Sequence, residues 1–357
     1  MIALEVSSAA GRPPYGGIGG AIRNVVGELL RLDPDTRYDL CYRLSRWRRG
    51  NLFRPSAPNV RLRVIQDPFN ALLLRSDRLL HSMGIYVPQT PRITKLVTIH
   101  DLNAVRNVQW VRPEWHERRS RRIRQAVDRA DHVVTYSAFT AAEVREEYGL
   151  RDDRVHPILL GVDTESFLPT PEERVRELRA KYGDYVISIG LVTPRKNFEA
   201  LVRAVAPIDG LGLVLVGRRA DAESAVSQTI QEMGMQQRVT RLEGISHPDL
   251  VALIGSARVC AVPSLYEGFG LTVLEAMSCG TPVVCSLAAS LPEAAGDAAL
   301  LVDASDISAL SDAIQRVVED SDLAQRLQTL GLQRAREMSW SASAKNLRVL
   351  YRDVAGV

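Results

Sequence analysis

VPSLYEGFGLTVLEAMSCGTPVV, residues Val262 to Val284, carries strand, loop and helix signals in one short stretch. The apolar run Val259–Val262 has the length of one buried strand, and Pro263 and Ser264 end it. Glu267-Gly268-Phe269-Gly270 follows, an acid on a loop whose glycines let backbone approach a ligand closely. Thr272 is placed to cap a helix over Val273–Ser278, and Gly280 with Pro282 stops it. A second apolar run, Pro282–Cys285, returns to the sheet. Repeated strand–loop–helix units of this kind imply an α/β fold with a parallel sheet.

Two carboxylates ride on this unit. Glu267 stands at the carboxyl end of the strand, where open α/β sheets bind ligands, and Glu275 lies in the first turns of the helix. The helix N-terminus offers free N–H groups and a positive dipole end, which suit a phosphate. An acid facing sugar hydroxyls, amides facing phosphate and a second acid facing ribose together suit a nucleotide sugar.

The rest of the chain repeats the alternation. Ile2–Ser7 reads as a strand running into a glycine-rich turn, Gly11 to Gly20, then a helix with Ile22, Val25, Val26, Leu29 and Leu30 on one face. The glycine spacing departs from GxGxxG, which disfavours a nicotinamide dinucleotide. Leu79–Gly84 and Lys95–Asp101 read as strands ending in polar loops, and His100-Asp101 at a strand end belongs to a site more than to a core. Trp110–Arg129 reads as a helix with Trp115, Ile123, Ala126 and Val127 inward and Arg118, Arg119, Arg121, Arg122 and Arg124 largely outward. Ser137 caps the helix after the strand Asp131–Tyr136, and Val155–Leu160 is the last strand of this half. Pro169 and Pro171 then break regular structure, which sets domains at 1–162 and 163–339. In the second half come the strand Tyr185–Gly190, the basic turn Thr193-Pro194-Arg195-Lys196-Asn197, a helix over Phe198–Val205, and strands at Leu213–Gly217, Val239–Gly244 and Leu300–Asp303. Adjacent cations at such a turn neutralise a diphosphate well. The triplets Asp33-Pro34-Asp35 and Asp320-Ser321-Asp322 follow no buried strand, read as inter-helix loops and imply no metal.

The segment Glu267 to Glu275, read as E-G-F-G-L-x-x-x-E, resembles the signature of the retaining glycosyltransferases of family four. That resemblance spans nearly the whole chain and implies the GT-B fold, two doubly wound Rossmann-like domains facing across a cleft. It implies an acceptor-side domain over 1–162, on which a C-terminal tail of about 340–357 packs back, and a donor domain over 163–339. It also implies the site. Glu267 is expected to hold the donor sugar with the amides of Phe269 and Gly270, and Glu275 the ribose. Arg195 and Lys196 are expected on the leaving diphosphate, Gly16, Gly17 and Gly19 against it, and His100 near the reacting carbon. Asp101, Gly244, Ile245, Gly268, Leu271 and Thr272 complete the expected donor contacts, with the base read at Glu243–Ser246. The reaction so implied transfers a sugar of mannose or glucose type from a nucleotide-diphosphate sugar, such as GDP-mannose or UDP-glucose, to a hydroxyl in polysaccharide or glycolipid biosynthesis. It retains configuration and uses neither cofactor nor metal. Competing readings are a nucleotide-sugar 2-epimerase of related fold and an inactive nucleotide-sugar-binding protein.

Composition sets the outer bounds. The 357 residues suffice for two cores, and 46% hydrophobic with 24% charged residues is ordinary for a globular protein. Four cysteines without CxxC spacing argue for reduced thiols and against a zinc site, which is the pattern of a cytoplasmic protein. No apolar run approaches the length of a membrane span. The net charge of +3 conceals two arginine clusters, Arg43–Arg54 and Arg112–Arg124. Aromatics are few and no nucleic-acid module is matched, so a nucleic-acid partner is not expected. The clusters instead point to a glycan or lipid-linked glycan acceptor and to peripheral contact with an anionic membrane, at the inner face of the cell membrane.

Overall fold

The computed structural model describes residues 1–11, 17–48, 50–67, 69–90 and 93–357. Two compact units divide the chain: Met1–Leu160 with Trp340–Val357, and Gly161–Ser339.

The first unit holds strands β1 (Ile2–Glu5), β2 (Tyr38–Arg43), β3 (Val60–Ile65), β4 (Leu79–Ser82), β5 (Thr94–Ile99), β6 (His132–Thr135) and β7 (Val155–Pro157). They form one parallel sheet in the order β3-β2-β1-β4-β5-β6-β7. Within it β1 pairs with both β2 and β4, so the direction of strand succession reverses between β1 and β4. The central strands β1 and β4 are short and fully buried, as a parallel sheet covered on both faces demands, whereas β3 at the edge is only partly buried. Ile123, Ala126 and Val127 of the helix Pro113–Arg129 pack with Val97, Ile99 and Val133 in one of its cores. Ser137 caps the helix Ala138–Tyr148 by accepting from the Thr140 amide, as its sequence suggests.

Trp115 departs from the expectation. It is 56% exposed, and Arg118 stacks on its ring at 4.7 Å. The helix enters with its first turn clear of the core, so the inward stripe begins only at Ile123. Arg119 departs in the other direction: it is half-buried and feels the charge of Asp101. The final helix, Trp340–Ala355, packs on the helix Gly17–Leu32. Tyr351 Oη and Thr98 Oγ1 flank the buried His81 ring, at 2.6 and 2.8 Å from Nδ1 and Nε2. Ser343 Oγ donates to the Leu159 carbonyl at 2.7 Å, and Arg348 reaches Asp33 at 3.3 Å.

In the second unit β8 (Asp184–Ile189), β9 (Leu211–Val216), β10 (Val239–Leu242), β11 (Val259–Val262), β12 (Val283–Ser286) and β13 (Ala299–Val302) form a parallel sheet ordered β10-β9-β8-β11-β12-β13. The succession reverses between β8 and β11, which pair through Val259↔Val186 and Cys260↔Ile187. In doubly wound sheets this reversal opens a crevice at the strands' carboxyl ends. On one face the helix Phe198–Val205 packs with the helices Glu223–Glu232 and Ile307–Glu319, and the helix Leu271–Ser278 packs with Ser321–Glu337.

Both acidic triplets are structural. Asp33 accepts from Tyr38 Oη at 3.1 Å and lies between a helix and β2, not between helices. Asp320 caps the helix Ser321–Glu337 by accepting from the amides of Asp322 and Leu323.

Candidate active site

At the switch point of the second unit the carboxyl ends of β8 and β11 bring together residues 71 positions apart in sequence. The loop after β8 ends in a single tight turn, Pro194–Lys196, closed by Asn197 at φ +56° with its Nδ2 donating to the Ala304 carbonyl at 2.8 Å. That turn delivers Lys196 Nζ to 2.6 Å from Glu267 Oε1 and Arg195 Nη1 to 2.9 Å from Glu267 Oε2. Arg195 Nη1 also donates to the Tyr266 carbonyl at 3.0 Å, and the Ser290 hydroxyl donates to the Glu267 carbonyl at 2.7 Å. Glu267 is 15% exposed. Burial opposes its ionisation, but the charges of Lys196 and Arg195 outweigh burial and hold the carboxyl down at about 2.

Two glycines make the lysine's path possible. A Cβ on Gly190 would lie 2.7 Å from Lys196 Cε, and one on Gly217 would lie 1.9 Å from the Gly190 carbonyl oxygen. Neither strand end accepts a side chain. Sequence reasoning saw these glycines only as strand ends, because the contact between them needs the sheet.

The helix after the loop begins at Leu271, two residues earlier than its sequence suggests, and its N-cap is Gly270 at φ +112°. Thr272 therefore does not cap it; it is the second helical residue. A Cβ on Gly270 would meet Leu291 Cδ2 at 2.9 Å, so the glycine is imposed by both dihedral and packing. Gly268, Leu271 and Thr272 remain half-buried at this helix entry, whereas Phe269 is buried. The first N–H groups of the helix have no acceptors within it, which is the arrangement that favours an anion. Glu275 follows on the same helix. Burial lifts its carboxyl to about 7 while Lys196 pulls it back, so Lys196 acts on both acids.

In the first unit a second group of the expected residues converges at the β1/β4 reversal. His100, at the end of β5, is 8% exposed and its Nε2–H donates to the Met83 carbonyl at 3.0 Å. Burial pushes its pKa to about 4, so the ring is neutral at pH 7 with Nδ1 as the bare nitrogen. Asp101 Oδ1 accepts from the Asn103 amide at 3.1 Å. Gly17, at φ +54°, opens the helix Gly17–Leu32, and a Cβ on Gly19 would lie 3.2 Å from the Ser8 carbonyl oxygen. Gly16 lies outside the described residues.

Known proteins match on this framework. Residues 24–166 fit the family described as Glycosyltransferase Family 4, and residues 169–334 the one described as Glycosyl transferases group 1. The O-antigen chain mannosyltransferase B of Escherichia coli is 30% identical over 278 residues, 74% of this chain and 71% of that one. The chain is a family four, group 1 glycosyltransferase. A D-inositol 3-phosphate glycosyltransferase of Corynebacterium glutamicum (strain R) is 29% identical to this glycosyltransferase over 280 residues, 73% of this chain and 67% of that one. Among solved structures, a sucrose-phosphate synthase from Thermosynechococcus elongatus superposes with a TM-score of 0.78 at 25% identity, covering 99% of this chain and 98% of that one. Both doubly wound sheets of this glycosyltransferase thus have the GT-B form.

The loop expected to read a base lies at the end of β10 in this glycosyltransferase. Gly244 adopts φ +65°, Ile245 follows it, and Glu243 is held by Arg219 at 3.1 Å. Arg219, Glu243, Phe198 and Gly217 line a small cavity beside that loop.

Proposed function

We propose that this glycosyltransferase transfers a hexosyl group from a nucleoside-diphosphate sugar to a hydroxyl of a glycan or glycolipid acceptor, with retention of anomeric configuration. The observation that carries the reading is the pairing of Arg195 and Lys196 on Glu267 beside the entry of the helix Leu271–Ser278. Glu267 takes up two cationic charges with one, and the residual positive charge and the helix N–H groups face the place of a diphosphate. In the transfer, the bond from the anomeric carbon to the leaving phosphate oxygen breaks. A bond to the acceptor oxygen forms on the same face, and the acceptor's proton passes to the departing phosphate. Arg195 and Lys196 offset the charge that develops there, so the reaction needs no metal.

A mannosyl donor is favoured, since relatives at 30% and 33% identity are an O-antigen chain mannosyltransferase and an MMP alpha-(1->4)-mannosyltransferase. The test is turnover with GDP-mannose, UDP-glucose and related donors, with the product linkage read by NMR. An inverted product refutes the mechanism. Conversion of the donor to its C2 epimer without transfer establishes the epimerase, and tight nucleotide binding without turnover establishes the inactive binder.

The acceptor reading draws on one helix of the first unit, Pro113–Arg129. Trp115 and Arg118 are exposed together, with Arg121, Arg122 and Arg124 exposed along the same helix. This favours an anionic or lipid-linked acceptor at an anionic membrane surface. The other arginine cluster is partly spent internally: Arg43 lies 3.6 Å from buried Glu5 and stacks on Tyr86 at 5.4 Å, while Arg49 falls outside the described residues. Among the described residues no helix is long and apolar enough to cross a membrane. Co-sedimentation with anionic but not neutral vesicles, lost at high salt, is the expected result; equal binding to both removes the membrane part.

A further inference from the structure

At the amino-terminal ends of β2 and β3, away from the strand ends that carry His100, the first unit has a cavity of about 430 Å³. Its origin is topological. The crossover from β3 to β4 must pass β2 and β1, yet among its described residues the only regular element is the four-residue helix Asn70–Leu73. A parallel sheet normally has a full helix over that face. Here Asp39, Arg61 and Arg63 line the opening instead.

Asp39 is buried, and two of these arginines satisfy it. Arg61 grips it with both forks, Nε to Oδ1 at 2.8 Å and Nη2 to Oδ2 at 3.0 Å, and Arg63 Nη1 lies 2.9 Å from Oδ2. Arg63 also reaches buried Asp77 at 3.3 Å. A carboxylate this deep in the sheet requires such cations. The other two arginines of the lining, Arg37 and Arg75, are different. Both are exposed, and among the described residues no carboxylate pairs with either. Four guanidinium groups thus stand against the two carboxylates of Asp39 and Asp77, and the excess positive charge faces one cavity. Arg61 is fixed in orientation by Asp39, with N–H donors beyond the two that Asp39 accepts. Fixed, forked donors with unspent charge are what recognise a phosphate bidentately. The volume falls within the range of small-molecule sites, about 300–1,000 Å³, and Leu73 and Pro58 supply apolar wall.

We propose that this cavity binds a small phosphomonoester, a sugar phosphate in size, through Arg37, Arg61 and Arg75. The site is separate from the donor site in the second unit and does not depend on the transfer reaction assigned there. Isothermal titration of the whole chain, with a nucleoside diphosphate present to fill the donor site, tests it. The probes are a hexose 6-phosphate, inorganic phosphate, the neutral hexose, and vesicles containing phosphatidic acid. Expected are saturable binding of the hexose 6-phosphate, weaker binding of inorganic phosphate and none of the neutral hexose. The double substitution Arg37→Gln, Arg75→Gln should weaken the hexose 6-phosphate at least tenfold without lowering Tm, since neither side chain supports the fold. Three outcomes overturn the proposal: no saturable binding of either phosphate, equal binding of the neutral hexose, or phosphate binding that the double substitution leaves unchanged. Binding to phosphatidic acid vesicles alone overturns the small-molecule assignment in favour of a lipid headgroup.

Discussion

Substituting Glu275→Gln should stabilise the protein while damaging the site, and the gain should depend on pH in a defined way. Glu275 titrates at about 7 in the folded protein against an ordinary value of 4.5, because burial disfavours its charge. A raised folded pKa means that the protonated acid is the form that suits the fold. Its stability is fully present below pH 4.5 and is lost as pH rises through 7. The whole gap corresponds to about 3 kcal/mol at roughly 1.36 kcal/mol per pH decade. Glu275 is only half-buried, and solvent screening lowers the expectation to about 1–3 kcal/mol. Glutamine copies the neutral acid and escapes the loss. At pH 8 the variant should therefore melt roughly 2–12 °C above the parent, taking about 2–4 °C per kcal/mol for a unit the size of Gly161–Ser339. The difference should shrink steadily between pH 7 and pH 4.5 and vanish below. Differential scanning calorimetry of both proteins from pH 4.5 to 9 measures it. An offset that is the same at pH 5 and pH 8 would refute the reasoning, since it would show that the folded carboxyl titrates where the unfolded one does.

The remaining expectations concern the other groups. Glu275→Ala should weaken nucleotide binding by about 1.5–3 kcal/mol, the loss of a hydrogen bond to a charged group, as calorimetric titration would show. Lys196→Met leaves Glu267 half-served by Arg195 and should cost about 3 kcal/mol in urea unfolding at pH 7. Because Glu267 is held below its ordinary value, its contribution exists above pH 4.5 and fades toward pH 2, so the penalty should fade with it. Glu267→Ala and His100→Ala should each lower turnover far more than nucleotide diphosphate affinity, and parallel losses would contradict their assignment to the sugar. Transfer activity should survive EDTA, since Arg195 and Lys196 supply the charge; a strict requirement for magnesium or manganese overturns that.

What the sequence made legible was the local grammar. Val259–Val262 and Val283–Ser286 are short apolar runs because parallel strands are buried on both faces, and punctuation by glycine and proline separates them from the helix. Ser137 is a cap with nothing to override it. Thr272 failed as a cap because Gly270 turns the chain into the helix earlier, a choice dictated by Leu291 from a separate segment. Trp115 failed as a core residue because helical periodicity gives a face but not where along the helix the core begins. The arginine pair was visible, but its grip on Glu267 was not. That contact joins two strand ends that become neighbours only where the sheet reverses.

The two acids of the EGFG segment lie eight residues apart, yet the fold drives them in opposite directions. Glu267 is held near 2 by two cations, and Glu275 is lifted to about 7 by burial. Environments that separate paired titratable groups assign them separate tasks. Glu267 is ionised at every physiological pH and fixes the position of Arg195 and Lys196 as firmly as they fix it. Under the proposed function, a diphosphate that meets those cations finds donors already ordered, so little side-chain entropy would be lost on binding. Arg195 has N–H groups beyond the one shared between Glu267 and the Tyr266 carbonyl, and can meet phosphate without releasing either. Lys196 has less freedom, being packed against Gly190 and drawn by both acids. Under the proposed function it is therefore the residue through which the charge of a bound phosphate would reach Glu275 and Glu267 together.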